Sequence, residues 1–425
     1  MSPSRYLVTI LGSLAAVLLG IAAFNYLVDP YLVFDRTRRV GFNQAKPAAD
    51  NREWTMKAYE ALRHNPRTVV LGSSRSDIGL NPDSPSWPHP WQPVYNLSMA
   101  GTDLSLNLHY LKHLLRSQGD RSALQTVVVG LDFESFLERP RHDPRPVDPR
   151  ERETVARLDA LAATSMTGRL RVWQDHAESL ATLDALVDSL AAVRANRASS
   201  PGADIAANGQ YSDGQLQQWT RTDGVAQLFK QKNQETLRGF KPPRRRLNPG
   251  DGSLMNGQAG VAELLDLAKQ RRLKLVLLIQ PSHVSRLEML AAMGYWGDFE
   301  RWKQVLTNLT DAARVKGVDV TLWDFSGYET ENLEPMPSKG QAREPLQWYW
   351  DPVHYRPSLG DRMLAAITAG DAGHPAGPLT LARVEARLQQ VRTDQAAYRA
   401  RDRAEVSRLR ALVCPGPSCV PTAAR

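Results

Sequence analysis

Residues 68–79 have the sequence "TVVLGSSRSDIG". A β-branched and apolar run is followed at once by Gly72, two serines and an arginine. A short apolar run that stops at a glycine predicts a buried strand ending in a polar loop. By itself the stretch does not distinguish an ordinary turn from a loop that carries a nucleophilic serine.

Four more runs of this kind alternate with helical patterns along the chain. They are "VYNLS" at 94–98, "TVVVGLDF" at 126–133, "LKLVLLIQ" at 273–280 and "VDVTLWDF" at 318–325. Unbroken apolar runs are typical of parallel strands that are covered on both faces. We therefore predict an α/β fold with a three-layer, doubly wound sheet of five parallel strands.

The length of 425 residues exceeds that of a usual single domain, and 42% apolar with 23% charged residues is a folded-protein composition. We predict a two-part α/β domain interrupted by a long, mostly helical insertion. The predicted segments are an anchor at 1–28, a connector at 29–50, the first half of the α/β domain at 51–139, the insertion at 140–250, the second half at 251–372, and a basic helix with a cysteine loop at 373–425.

Residues 6–28 form an uncharged and mostly apolar run that is long enough to cross a bilayer as a helix. A cleaved signal peptide is the alternative, but the run is longer than the apolar part of most signal peptides. We therefore predict an uncleaved transmembrane anchor. Arginines stand on both sides of the run, so their distribution does not decide the orientation.

Cys414 and Cys419 are the only cysteines and enclose the loop "CPGPSC". A disulfide between them requires an oxidising compartment such as the bacterial periplasm, and the alternative is a pair of free thiols. With the anchor, the pair predicts a single-pass inner-membrane protein whose body lies in the periplasm.

The net charge of +8 suits contact with anionic lipid or a polyanionic glycan, and no nucleic-acid-binding motif accompanies it. His109 and His113 lack the further ligands of a metal site, so we predict neither a metal nor another cofactor. The basic stretch 381–413 has an apolar stripe that suits packing on the body, pairing with another helix or lying on a membrane.

Candidate site residues lie at the end of each predicted strand or in the loop that follows it. Because the carboxyl ends of parallel strands open at one edge of a sheet, we expect these residues to face one crevice. They are Ser74, Gly101, Asp132, His283, and the pair Asp351 and His354.

The segment "WDPVH" places Asp351 three residues before His354. A hydroxyl nucleophile needs a base, and a base works best when a carboxylate fixes its tautomer and stabilises its cation. His354 with Asp351 suits that role. His283 is the alternative base, but no carboxylate stands at a comparable spacing from it.

Taken together, "LGSSR" and "DPVH" resemble the first and last blocks of the SGNH, or GDSL-like, hydrolase superfamily, which has a flavodoxin-like fold. The family's first block is Gly-Asp-Ser, which Gly72 and Ser74 match while Ser73 replaces the aspartate. The last block is Asp-x-x-His. The resemblance implies that Ser74 is the nucleophile, His354 the base and Asp351 its orienting partner.

"NLSMAG" resembles the family's second block, which implies that the amides of Gly101 and Ser74 bind an oxyanion. Where the family has Gly-x-Asn-Asp, this chain has "GLDF", so Asp132 replaces an oxyanion-binding asparagine. Either Asp132 is protonated, or another donor such as Asn96 serves, or backbone amides act alone, or Asp132 is purely structural. Arg75 is a candidate substrate or structural contact.

A membrane anchor, an early "GSSR" and a late "DPVHY" resemble the bacterial envelope branch of this superfamily. That branch includes SGNH-like proteins of alginate and peptidoglycan O-acetylation and the D-alanyl transfer protein of teichoic acid modification. The resemblance implies acyl transfer or ester hydrolysis on an envelope polysaccharide, beside a membrane-bound O-acyltransferase. The alternative is a catalytically degenerate scaffold or glycan-binding subunit.

Overall fold

A computed structural model describes residues 3–138, 148–163, 165–197, 204–240, 244–247, 256–337, 342–370 and 377–414. The chain divides into two compact units. The first comprises Met1–Asn65, His109–Ser122 and Asp148–Gln215, and the second comprises Pro66–Leu108, Ala123–Val147 and Leu216–Arg425.

The helices and strands follow in chain order. They are α1 Pro3–Val28, α2 Glu53–His64, β1 Thr68–Leu71, α3 Ser74–Gly79, β2 Val94–Asn96, α4 Leu104–Gln118, β3 Thr126–Leu131, α5 Pro149–Ala162, α6 Met166–Ala181, α7 Leu183–Ala195, α8 Gly214–Asp223, α9 Val225–Gly239, α10 Asn256–Arg271, β4 Lys274–Ile279, α11 Val284–Ala292, α12 Trp296–Val315, β5 Val320–Asp324, α13 Pro357–Ala369, α14 Val384–Arg401 and α15 Arg403–Val413. Short 3-10 helices span Pro47–Arg52, His89–Trp91, Gly119–Arg121 and Phe133–Phe136.

The sheet of the second unit has five strands, all parallel, in the order β2-β1-β3-β4-β5. Each predicted strand is present, so the predicted parallel α/β architecture is confirmed. The order reverses between β1 and β3, since Thr68 pairs with Val94 on one side and with Thr126 on the other. Open α/β sheets bind ligands at such a reversal, beyond the carboxyl ends of the strands.

Both faces of this sheet are buried, as the unbroken apolar runs predict. On one face Val70 and Val276 join a core with Tyr355 and Met363. On the other face alternate residues such as Val127 are also fully buried. The strands are therefore anchored from both sides, which leaves their carboxyl-terminal loops as the accessible edge.

The C-terminal segment packs on the body of the second unit. It forms two helices with a break at Asp402, and α14 contacts α12 while α15 contacts α11. Of the predicted stripe, Val384, Leu388, Val391 and Tyr398 are buried, whereas Leu381 is exposed. Of the three alternatives for this segment, the structure shows packing on the body.

In the first unit, α1 is long and apolar enough to cross a membrane, the one such helix in the described part of the chain. Residues 29–50, predicted as a connector, fold onto this unit. Tyr31 and Val33 join a buried cluster with Tyr59 and Ala185. The carboxylate of Asp29 accepts a hydrogen bond from the Val33 amide at 2.9 Å.

The predicted insertion at 140–250 is divided between the two units. Its helices α5, α6 and α7 belong to the first unit, whereas α9 belongs to the second. At the C-terminus, Cys419 lies outside the described residues, so the disulfide with Cys414 stays a prediction.

Close backbone contact with α13 fixes the position of α3, the helix that begins at Ser74. A Cβ on Gly360 would overlap the carbonyl oxygen of Gly79. We expect Gly360→Ala to lower the free energy of unfolding by about 1–3 kcal/mol, because a backbone oxygen cannot move aside as a side chain can. Thermal unfolding followed by tryptophan fluorescence measures this.

Gly297→Ala is the matched control, since a Cβ there meets nothing within 4 Å. It should leave stability unchanged or raise it slightly. Equal stability of the two variants would contradict close packing of α3 on α13.

Candidate active site

The serine loop begins where β1 ends. Gly72 has φ +153°, and a Cβ at this position would lie 2.5 Å from the hydroxyl of Ser76. Only glycine fits such a close approach. Ser73 then caps α3 by accepting from the Arg75 amide, and Ser74 is the first residue of the helix. The turn therefore presents Ser74 at the carboxyl edge of the sheet, where it is half-buried.

The structure brings Ser74, His354 and Asp351 together in one hydrogen-bonded chain. Ser74 Oγ lies 2.8 Å from His354 Nε2, and His354 Nδ1 lies 2.7 Å from Asp351 Oδ2. Asp351 Oδ1 accepts from the amides of Val353 and His354. With Nδ1–H donating to the carboxylate, Nε2 is free to accept the serine proton. This is the arrangement of a nucleophile, a base and an orienting acid.

The environment of Asp351 keeps its carboxylate charged. Burial acts to raise its pKa, but the charge interaction with His354 and the hydrogen bond from that residue outweigh burial and lower the pKa to about 2. The ammonium of Lys232 on α9 acts in the same direction. Asp351 is therefore ionised near neutral pH and can stabilise the imidazolium that forms when His354 takes a proton.

Asp132 is an acceptor in this structure. Its Oδ1 accepts from Arg75 Nη1 at 2.7 Å and from Gln280 Nε2 at 2.9 Å. Its Oδ2 accepts from the hydroxyl of Ser73. Among the alternatives for this residue, the contacts match the structural one, because they hold both neighbours of Ser74 and none is a donation by Asp132.

Arg75 is buried and acts as a structural contact. Its pKa is raised: burial alone would lower it, but the carboxylates of Asp132 and Glu134 outweigh that effect. Its remaining donors reach the loops that follow β4 and β5. The acceptors are the carbonyls of Val353 and Pro281 and the hydroxyl of Ser282. The Arg75 side chain thus connects the segment that carries Ser74 to the loop that carries His354.

The structure commits Asn96 elsewhere. Its side-chain amide is fully buried and donates to carbonyls at the end of α3, those of Ser76, Asp77 and Leu80. Gly101 has φ +73° and lies in a loop held to Gly72 by the Thr102 hydroxyl, which donates to the Gly72 carbonyl at 3.0 Å. The Asn96 side chain therefore holds the end of α3, and the oxyanion-binding role of the Ser74 and Gly101 amides stays a prediction.

His283, the alternative base, makes other contacts. Its Nδ1 accepts from the Ser285 amide at 3.2 Å, and its Nε2 lies 2.8 Å from the Glu334 carbonyl. Burial lowers its pKa to about 4. The ring is therefore neutral near pH 7 and caps α11, while His354 makes the contact with Ser74.

Gln280 hydrogen-bonds to residues of the site, and the sequence motifs did not predict it. Its Nε2 donates to Asp132, and its Oε1 accepts from Ser76 at 2.9 Å and from Tyr355 at 3.1 Å. Gln280 directly follows β4, as Asp132 follows β3. The signal that could have identified Gln280 is a polar residue directly after an apolar run. No such signal marks Lys232, because it lies on α9, far along the chain from the motif residues.

Within the described ranges, no group of three or more His, Cys, Asp or Glu side chains is arranged to hold a metal ion. In comparisons with known proteins, neither a family model nor a curated protein matches the chain. The family resemblance therefore rests on the motifs and on their order along the sheet.

We expect Asp132→Ala to lower the free energy of unfolding by about 3–5 kcal/mol, because it leaves the Arg75 guanidinium buried without its partner. The double variant Arg75→Met/Asp132→Ala should lose less than the sum of the two single variants. Urea unfolding of the four proteins completes the cycle.

The control is Asp319→Ala, which removes an exposed partner of Lys274 at 3.8 Å. Such pairs contribute about 0–1 kcal/mol. If Asp132→Ala is no more destabilising than this control, the Asp132 pair does not carry the structural role assigned to it.

Stability should rise with pH between about 4 and 6.5 in part because of His283. In that window the unfolded chain binds a proton that the folded state, with its lowered His283 pKa, excludes. His283→Gln should reduce this rise by about 3 kcal/mol, and the exposed His89→Gln should not change it. Denaturant unfolding at several pH values tests both, and an unchanged pH slope in His283→Gln would contradict the assignment.

Proposed function

We propose that this chain is a membrane-anchored, SGNH-like acyl-ester transferase or esterase that acts on a cell-envelope polysaccharide. The observation that carries the proposal is the hydrogen-bonded chain from Ser74 Oγ through His354 to Asp351. Its position beyond β1 and β5, beside the reversal of strand order, is where such a sheet holds substrates.

In the proposed reaction, Ser74 Oγ attacks the ester carbonyl of an acyl donor while His354 Nε2 takes the serine proton. The tetrahedral intermediate collapses as His354 returns that proton to the leaving alcohol, and a seryl ester remains. A glycan hydroxyl or water then attacks the ester and gives its proton to His354. As the second intermediate breaks down, His354 returns that proton to Ser74 Oγ, which restores the serine and releases the acylated glycan or the free acid.

The negative charge of each intermediate needs hydrogen-bond donors. We assign this role to the backbone amides of Ser74 and Gly101. Asp132 replaces the family's asparagine as a positioning residue, because its contacts to Ser73 and Arg75 hold both sides of the nucleophile.

The proposed location follows from α1 and the cysteines. We infer that α1 crosses the inner membrane, that Cys414 and Cys419 form a disulfide, and that the body works in the periplasm. The proposed partners are the acceptor glycan and a membrane-bound O-acyltransferase that supplies acyl groups. The reaction needs no cofactor.

One observation favours a second function, that of a non-catalytic scaffold or glycan-binding subunit. The position of the family's oxyanion-binding asparagine holds a carboxylate engaged in an ion pair with Arg75. A site that no longer stabilises an oxyanion retains its fold and its crevice but loses the reaction.

Labelling with a fluorophosphonate separates the two functions. We expect the full chain in detergent to be labelled at one serine and Ser74→Ala to remain unlabelled. His354→Ala should react about 10²–10⁴-fold more slowly, because the general base is lost. Mass spectrometry of the labelled peptide identifies the site.

Ser407→Ala is the matched control, since it removes an exposed serine hydroxyl on α15 and leaves the proposed nucleophile and its contacts in place. It should still be labelled. Equal labelling of wild type and Ser74→Ala contradicts the nucleophile assignment. Absence of labelling in a folded wild type favours the scaffold.

A further inference from the structure

The helices α6 and α7 of the first unit each expose a row of large apolar side chains. On each helix the residues are spaced as i, i+4 and i+7, which places them on one face. They are Met166, Leu170 and Trp173 on α6, and Leu183, Val187 and Leu190 on α7, and they are between 55% and 79% exposed. We call these six residues the α6–α7 stripe.

The inward faces of the same helices have the opposite composition. Gly168, Asp175 and Ser179 are the buried residues of α6. Ala185, Ser189 and Ala192 are those of α7. A helix on a water-soluble protein turns its large apolar residues inward and leaves small or polar residues outside. This reversal indicates that the outer face is not adapted to water.

The two helices pack on the last turns of α1. The side-chain amide of Asn25 donates to the Leu180 carbonyl at 2.9 Å, and Asn25 and Val28 are the buried residues of α1. The large apolar side chains from Tyr6 to Leu19 are exposed, and so are Tyr26 and Leu27, whereas Ile21 and Phe24 are half-buried. The stripe is thus carried by helices fastened to one end of the apolar span.

The length of α1 places that end at a bilayer surface. Its 26 residues extend about 39 Å, whereas the hydrocarbon core of a bilayer is about 30 Å thick. A span that begins just after Arg5 reaches the opposite interface near Asn25. The contact with Leu180 therefore sets α6 and α7 at the level of the lipid head groups.

We propose that the α6–α7 stripe inserts into the leaflet of the lipid bilayer at which α1 ends, so that the first unit is seated on the membrane by three helices. The inference rests on the proposed anchoring by α1. Apolar helix faces at this depth bury in the boundary between head groups and acyl chains, and Trp173 is of the type enriched there.

The charges beside the stripe identify its lipid contact as apolar. Arg169 is accompanied by Glu178 on α6, and Asp184 by Arg194 on α7, all of them exposed. Because the positive and negative charges balance, attraction to anionic lipid is not the main contribution to membrane binding by the stripe. Neutral and anionic bilayers should therefore be bound alike.

Nitroxide labels on the full chain in vesicles test the proposal. Leu170→Cys and Val187→Cys are made in a Cys414→Ser/Cys419→Ser background, and collisions with oxygen, which enters lipid, are compared with those of a water-soluble nickel chelate. Ala156→Cys, on the charged outer face of α5, is the aqueous reference, and Leu14→Cys reports on α1. The vesicles are phosphatidylcholine alone or with phosphatidylglycerol.

We expect the oxygen-to-nickel ratio at residues 170 and 187 to exceed that at residue 156 in both kinds of vesicle. A water-like ratio at 170 and 187 with a lipid-like ratio at Leu14 overturns the docking surface and leaves the anchor standing. Protection from both reagents overturns it too, since it means coverage by a second copy. Lipid exposure in anionic vesicles alone contradicts apolar insertion. A water-like ratio at Leu14 overturns the anchor and the docking proposal together.

Discussion

The ion pair between Arg75 and Asp132 holds the serine loop to the rest of the sheet edge. Asp132 follows β3, and Arg75 reaches from α3 to the loops after β4 and β5, so one buried pair connects four segments. Because Ser73 also donates to Asp132, both neighbours of Ser74 depend on this carboxylate. A buried arginine without that partner would carry an uncompensated charge, which makes the pair a condition for the local fold.

Close backbone approach is the second requirement at this edge. Gly72 lets the chain turn against Ser76, Gly360 lets α13 lie against the end of α3, and Gly79 leaves room for the Tyr355 ring. These contacts set the direction in which α3 leaves the sheet. They place Ser74 within hydrogen-bond distance of His354, which is 280 residues away along the chain. The hydrogen bond between Ser74 and His354 thus depends on packing that involves neither of the two side chains.

The two units solve different problems. The second buries apolar side chains on both faces of its sheet and keeps its polar groups for one edge. The first buries small and polar residues of α6 and α7 and leaves large apolar ones outside, next to a helix of membrane-spanning length. The second unit thus has a buried apolar core, whereas the outer faces of α6 and α7 in the first unit are apolar.

The five parallel strands were predictable from the sequence, because short apolar runs that alternate with helical patterns are local signals. Short motifs near the ends of predicted strands also identified Ser74, Asp351 and His354 as candidate site residues. The local patterns did not predict that Asp132 accepts hydrogen bonds from Arg75 and Gln280 or that Asn96 holds the end of α3. They also did not predict that residues 29–50 pack on the first unit. Only the tertiary structure decided which face of α6 and α7 points outward. Each of these depends on contacts between residues far apart in the chain, and local patterns carry no information about such partners.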